Sequence, residues 1–259
     1  MRAAEPLVLL HGVAMSARVW DDVIPLVQTR HEVVVPTALG HRGGPPVRHH
    51  PTTVRELVDD VERTLDDMGL DRAHFAGNSL GGWIAIELAL RGRAITVCAL
   101  SPAGCWDASG HGRTGGTAKL RRMVGLTRRT RRIHPLALKS ASVRRLAMRD
   151  VACHADRLSP AQALAAAEDL IGCTVVDDLL ATPEQMPEVP ELPCPITLVW
   201  SGKDMIFPVR INGRIARQRL PQARFEVLPG IGHVPMIDDP GLVASTILAT
   251  TGAGEWPVR

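Results

Sequence analysis

Short apolar runs alternate with longer stretches of helical periodicity over most of the chain. Pro6 to Leu10 is one such run, and it ends in His11-Gly12, the profile of a buried parallel strand feeding a loop. A helix is expected from Arg18, with Trp20, Val23, Ile24 and Val27 on one face, followed by a second strand from His31 to Pro36. Thr53 and Glu56 have capping-box spacing, and Val54, Leu57, Val58, Val61, Leu65 and Met68 recur at helical intervals, which predicts a helix over residues 53–69 that Gly69 stops. Arg72 to Asn78 reads as the third strand, Leu80 to Arg91 as a helix and Ala94 to Leu100 as the fourth strand.

The alternation fails between Pro102 and Pro193. That segment opens Gly/Ser/His-rich, passes through a block of Arg and Lys, and holds a helical candidate from Ser159-Pro160 to Leu170 before ending in the proline-punctuated Pro183 to Pro195. Alternation resumes with the strand Pro195 to Trp200, a helix over about residues 210–220, the strand Arg224 to Leu228 and a last helix over about residues 240–250. Repeated strand-helix units with short links imply a mostly parallel sheet of about six strands, right-handed crossovers and helices on both faces. The expected organisation is an α/β core of residues 1–102 and 193–259 with a helical cap or lid, residues 103–192, over the carboxyl edge of the sheet.

Length and composition fit that plan, since 259 residues with 45% hydrophobic content bury one large core. Leu7 to Leu10 is broken by His11-Gly12, so it makes no leader, and no stretch has the length of a membrane span; a soluble cytoplasmic protein is the expectation. Five scattered cysteines without C-x-x-C spacing read as buried thiols rather than a zinc site or a disulfide framework. Net charge is only +3, yet 12 of the 30 Lys and Arg, and none of the 27 Asp and Glu, fall between Ala108 and Arg149. Such a block reads as a solvated face, or alternatively as attraction for an anionic substrate, membrane surface or partner. Nucleic acid is excluded as its target, because no aromatic residue interleaves it.

Candidate chemistry centres on Phe75-Ala76-Gly77-Asn78-Ser79-Leu80-Gly81-Gly82, a G-x-S-x-G pattern where a strand turns into a helix. Residues two before and two after such a serine approach each other's main chain, and Gly77 and Gly81 lack the Cβ that would prevent it. Serine is a weak nucleophile at neutral pH and needs a base, which needs an orienting partner. Asp204 follows the strand ending at Trp200 and His233 follows the strand ending at Leu228, so both arrive at the sheet edge that holds Ser79. Asp107 and Asp238 are rivals for the acid.

With His11-Gly12, Gly77-Asn78-Ser79-Leu80-Gly81-Gly82, Gly202-Lys203-Asp204 and Gly232-His233-Val234-Pro235, the chain resembles the α/β-hydrolase superfamily over roughly residues 6–102 and 193–250. The first two strands of larger members have no counterpart. The resemblance implies Ser79 as nucleophile, His233 as general base and acid, Asp204 as its orienting acid, and an oxyanion hole from the backbone N–H groups of Val13 and Leu80. Val13 and Ala14 stand where some lipases carry further glycines, which argues against bulky tertiary-alcohol esters. His11, Asn78 and Trp83 are the candidates for the substrate pocket, although His11 also reads as a structural loop histidine and Trp83 as core.

These residues imply hydrolysis of a small carboxylic ester with no cofactor and no metal. Asn78 in the elbow also resembles carbon-carbon bond hydrolases of ring-fission products, whose aromatic residue after the catalytic histidine is replaced here by Val234. Cofactor-free haloperoxidase-type perhydrolysis uses the same three residues. Dehalogenases and epoxide hydrolases carry an aspartate nucleophile where this chain has Ser79, and with no tyrosine in the sequence a tyrosine-assisted mechanism is ruled out. A non-catalytic ligand-binding relative is the contrasting class.

Overall fold

The computed structural model describes residues 4–107 and 113–257. The Gly/Ser/His-rich opening of the inserted segment (108–112) and Arg259 lie outside them. Six strands form one sheet: β1 (Pro6–Leu10), β2 (Glu32–Val34), β3 (Ala73–Asn78), β4 (Ala94–Leu100), β5 (Ile196–Ser201) and β6 (Arg224–Leu228). Their order is β2-β1-β3-β4-β5-β6, and every neighbouring pair is parallel.

The central strands are continuous apolar runs because both faces are covered: Leu7, Val8, Leu9, Val97, Cys98 and Leu198 are all inaccessible. The helix Val54–Asp67 carries the predicted capping box, with the Thr53 hydroxyl accepting from the Glu56 amide and the Glu56 carboxylate accepting from the Thr53 amide. It packs on the helix Leu80–Leu90, whereas the closing helix Pro240–Thr251 packs on Ile24–Val27 and on β4.

From β1 the chain steps one way to β2 and the other way to β3, so the topology reverses between β1 and β3. Right-handed crossovers then put Ile24–Val27, before the reversal, on one face and Val54–Asp67 and Leu80–Leu90, after it, on the other, and the loops after β1 and β3 open a crevice at the carboxyl edge. His11-Gly12-Val13 lines one side of this crevice and Ser79 the other.

Two expected helices differ. The helix from Arg18 is a 3-10 turn, Ala17–Trp20, and then a short helix, Ile24–Val27, because Pro25 is tolerated only in a first turn. The helix over residues 210–220 begins with a π turn, Val209–Gly213, and becomes α-helical at Arg214–Arg219.

Between β4 and β5 lie the helices Thr114–Thr130, His134–Ala137, Ala141–Ala147, Pro160–Gly172 and Val176–Ala181. Ser159 caps the fourth of these with Pro160 in its first turn, as the sequence predicts. The inserted helices are tied to the core by hydrogen bonds and ion pairs. Asp169 accepts from Ser16 Oγ, from Arg42 at 3.0 Å and from Arg18 at 3.3 Å. The Thr174 amide bonds the Gly40 carbonyl at 2.9 Å, and the Asp178 carboxylate accepts from the Thr52 amide at 3.0 Å. Among the described residues no helix is long and apolar enough to cross a membrane.

Candidate active site

Ser79 follows β3 directly and has φ 56° and ψ −115°, a conformation that side chains with a Cβ rarely adopt. The surrounding packing imposes it. Its amide bonds the Leu100 carbonyl at 2.9 Å and its carbonyl accepts from the Ala103 amide at 2.9 Å, so both sides of the turn are pinned to β4 and its loop. A Cβ on Gly77 would lie 2.2 Å from the Gly81 carbonyl oxygen, and a Cβ on Gly81 would lie 2.1 Å from that of Leu10. Only glycine permits either approach.

His233 Nδ1 and Asp204 Oδ2 are 2.8 Å apart, and both side chains are buried. The other oxygen, Oδ1, accepts the amides of Ile206 at 2.9 Å and Phe207 at 2.7 Å, so the carboxylate is fixed on both sides. The Phe207 ring stands edge-on to the imidazole with centroids 5.2 Å apart. Ser79 and His233 both wall one cavity of about 850 Å³. Among the hydrogen bonds of the described residues none joins them.

The loop after β1 faces Ser79, and a Cβ on Gly12 would lie 3.4 Å from the serine Cβ. His11 accepts the Ala38 amide on Nε2 at 3.0 Å, so Nδ1 carries the proton and donates to the Gly12 carbonyl at 2.8 Å. In a planar trans peptide the N–H opposes the C=O, so holding the Gly12 carbonyl toward His11 turns the Val13 N–H away from it. Burial first, then the neighbouring His41, push the His11 pKa down from 6.5 to about 3, against the pull of the Gly12 carbonyl; the ring is neutral.

The three pocket candidates fall behind the cavity wall. His11 serves the loop as just described. Asn78 is inaccessible, and its Nδ2 donates to the Leu100 carbonyl at 3.1 Å and the His233 carbonyl at 2.9 Å. Trp83 is core: its Nε1 donates to Glu87 at 3.0 Å and its ring meets Trp106 edge-on at 5.7 Å. Side chains that point back along a helix or sit between packed strands cannot reach the crevice, however close they lie to Ser79 in sequence. The cavity is walled instead by Val13, Met15 and Met236 from the core and by Met123, Leu170 and Leu180 from the inserted helices.

A model of the alpha/beta hydrolase family matches residues 7–246. The chain belongs to that family. It is 32% identical over 195 residues to the epoxide hydrolase EphH of Mycobacterium tuberculosis, a match that spans 74% of this chain and 91% of that protein. Among solved structures it resembles the 2-hydroxy-6-oxo-6-phenylhexa-2,4-dienoate hydrolase BphD of Rhodococcus sp. strain RHA1, with TM-score 0.74, 19% identity and coverage of 96% and 91% of the two chains. It also resembles a thermophilic esterase from Thermogutta terrifontis, with TM-score 0.69, 21% identity and coverage of 95% and 88%.

In this α/β hydrolase the rival acids have other surroundings. His233 Nδ1 meets Asp204, not Asp107 or Asp238. Asp238 is inaccessible and gathers three amides, Gly232 at 2.7 Å, Cys153 at 3.0 Å and His154 at 2.7 Å, which laces the His233 loop to the link between the inserted helices Ala141–Ala147 and Pro160–Gly172. The Asp238-Asp239-Pro240 run marks that clamp in sequence, although nothing there reveals which amides it holds. Of the five cysteines, Cys98, Cys105, Cys173 and Cys194 are buried and Cys153 is half-buried, and burial raises the pKa of each. No group of three His, Cys, Asp or Glu among the described residues could hold a metal ion.

Proposed function

We propose that the protein is a serine hydrolase that cleaves carboxylic esters through an acyl-enzyme on Ser79. The observation that carries this reading is the Asp204–His233 pair, 2.8 Å apart, at the wall of a cavity that also holds a strained, positive-φ serine. His233 Nε2 takes the Ser79 proton as Oγ attacks the ester carbonyl, and Asp204 stabilises the imidazolium through Nδ1. The amides of Val13 and Leu80 receive the oxyanion, each worth about 3 kcal/mol. His233 then returns the proton to the departing alcohol, and a water activated by the same nitrogen hydrolyses the acyl-enzyme. The methionine- and leucine-rich wall suits an apolar acyl or alcohol group.

The relative named as an epoxide hydrolase raises a second reading, which the nucleophile opposes. An epoxide opened by a carboxylate gives an ester that water cleaves, whereas one opened by Ser79 Oγ gives an ether that water leaves intact. Nor does the chain contain a tyrosine to protonate the epoxide oxygen. Carbon-carbon cleavage is the less favoured reading, since Asn78 binds the His233 backbone and Val234 follows the histidine.

The test is turnover of p-nitrophenyl acetate, butyrate and octanoate, with styrene oxide and a ring-fission product alongside. Ester turnover together with fluorophosphonate labelling that Ser79→Ala abolishes is the expected result. Turnover of the epoxide or ring-fission product without ester turnover would overturn the reading.

A further inference from the structure

We propose that the basic, apolar face of the inserted helices docks on an anionic phospholipid surface, with the mouth of the cavity toward the lipid. Charge segregation is the first support. The segment from Ala108 to Arg149 holds 12 cations and no acid, leaving 18 cations against 27 acids, net −9, in the rest of the chain. The protein is therefore polarised, and only one side is attracted to an anionic surface. Among the described residues the ion pairs of this segment are Arg122 with Asp150 and Arg128 with Asp177; the exposed Arg121, Arg129, Arg131, Arg132 and Arg145 have none.

Apolar exposure is the second. Leu126, Ile133, Leu136 and Leu146 are 60%, 58%, 75% and 63% exposed; Leu126 and Leu146 share helices with Arg121, Arg129 and Arg145, and Ile133 and Leu136 come just after Arg131-Arg132. Leu126, Ile133 and Leu146 also line the cavity, so the exposed apolar side chains form its rim. Large aliphatic side chains interleaved with arginine on short helices, without acids, match the composition of a helix lying in a membrane interface. Nucleic acid would engage the arginines yet leave the leucines wet, and the described part of the segment has no aromatic residue to stack on a base. A second copy meeting like face to like face would bring two surfaces with an excess of arginine together.

Docking stands on these helices alone. Delivery of an apolar ester from the lipid into the cavity rests in addition on Ser79 being the nucleophile. Co-sedimentation of the full chain with vesicles reads the first without the second. The expected result is binding to phosphatidylcholine vesicles containing about 30% phosphatidylglycerol and at least about 10-fold less to phosphatidylcholine alone, with the difference lost at high salt. The variants Arg129→Glu/Arg132→Glu and Leu136→Glu, none of which lines the cavity, should each weaken anionic binding about 10-fold while keeping the far-UV circular dichroism and p-nitrophenyl acetate turnover of the parent. Equal or absent binding to the two vesicles overturns the proposal. So does an unchanged affinity in all the variants, a concentration-dependent dimer that Leu136→Glu dissolves, or tighter binding to a mixed-sequence RNA than to the anionic vesicles.

Discussion

Asn78 Nδ2 donates to the backbone carbonyl of His233 at 2.9 Å, joining the residue before the serine to the residue that carries the imidazole. The same NH2 group holds the Leu100 carbonyl at 3.1 Å, so one side chain ties β3, β4 and the loop after β6 together at the sheet edge. In the proposed mechanism Asn78 positions His233 and does not touch the substrate. Removing it leaves the buried His233 carbonyl without this donor, a cost of about 1–3 kcal/mol, while the Leu100 carbonyl keeps the Ser79 amide. Asn78→Ala should lower thermal stability and reduce kcat about 10- to 100-fold with KM nearly unchanged, since a small misplacement of the base is felt in the chemical step. A raised KM with normal kcat would instead return Asn78 to the pocket.

Asp204 presents one oxygen to His233 and the other to two amides. Asp204→Asn keeps the shape but places an NH2 or a neutral oxygen against Nδ1, which removes the charge and disturbs the tautomer. A fall in kcat of about 10⁴-fold is expected. Asp107→Asn should leave the rate within a factor of about 3, because it does not meet the imidazole. Steady-state ester hydrolysis by the two purified variants decides between them, and the opposite ranking would reassign the acid.

Two glycines should respond in opposite directions to the same substitution. A methyl group on Gly81 would sit 2.1 Å from the Leu10 carbonyl oxygen, with backbone on both sides of the clash. Gly81→Ala should therefore displace Ser79 and cut activity by about 100-fold or more, or prevent folding altogether. Gly125 is exposed within the helix Thr114–Thr130, and a Cβ there meets nothing within 4 Å. Gly125→Ala should raise stability by about 0.5–1 kcal/mol, read as a higher urea midpoint.

The contrast between these positions marks how far the chain could be read in advance. The strands were legible because burial on both faces demands continuous apolar runs, and Ala94–Leu100 has the predicted bounds. The arrival of Ser79 and His233 at one cavity, with Asp204 bonded to the histidine, is legible because each follows a strand, and parallel strands deliver their ends to one edge. Pro25 divided a helix that periodicity alone runs together. The pocket residues have no such signal: proximity to Ser79 in sequence says nothing about side-chain direction, and His11, Asn78 and Trp83 all turn into the protein. The true wall comes from Met123, Leu170 and Leu180, whose placement depends on tertiary contacts such as Asp169 with Arg42 that have no local signature.

His11 predicts how the protein responds to acid. Its ring is buried, accepts the Ala38 amide and donates to the Gly12 carbonyl, an arrangement that only the neutral form can make. Protonation in the native state is postponed from pH 6.5 to about 3, chiefly by burial and then by His41. An unfolded chain takes up that proton once the pH falls below its ordinary value, so between 6.5 and about 3 the unfolded state binds more protons than the native one. Stability from this group is complete above 6.5 and is lost progressively as the pH drops through that window, by at most about 1.4 kcal/mol per pH unit. His41 and His31 are lowered in the same direction, again mainly by burial, and steepen the slope. Urea unfolding should give a clear loss of stability between about pH 7.5 and about pH 5.5. His11→Asn, less stable at neutral pH because it cannot reproduce both hydrogen bonds, should show a shallower dependence over the same range. Parallel profiles for the two proteins would mean that the acid response arises elsewhere and that the His11 ring does not stay neutral for the reason given.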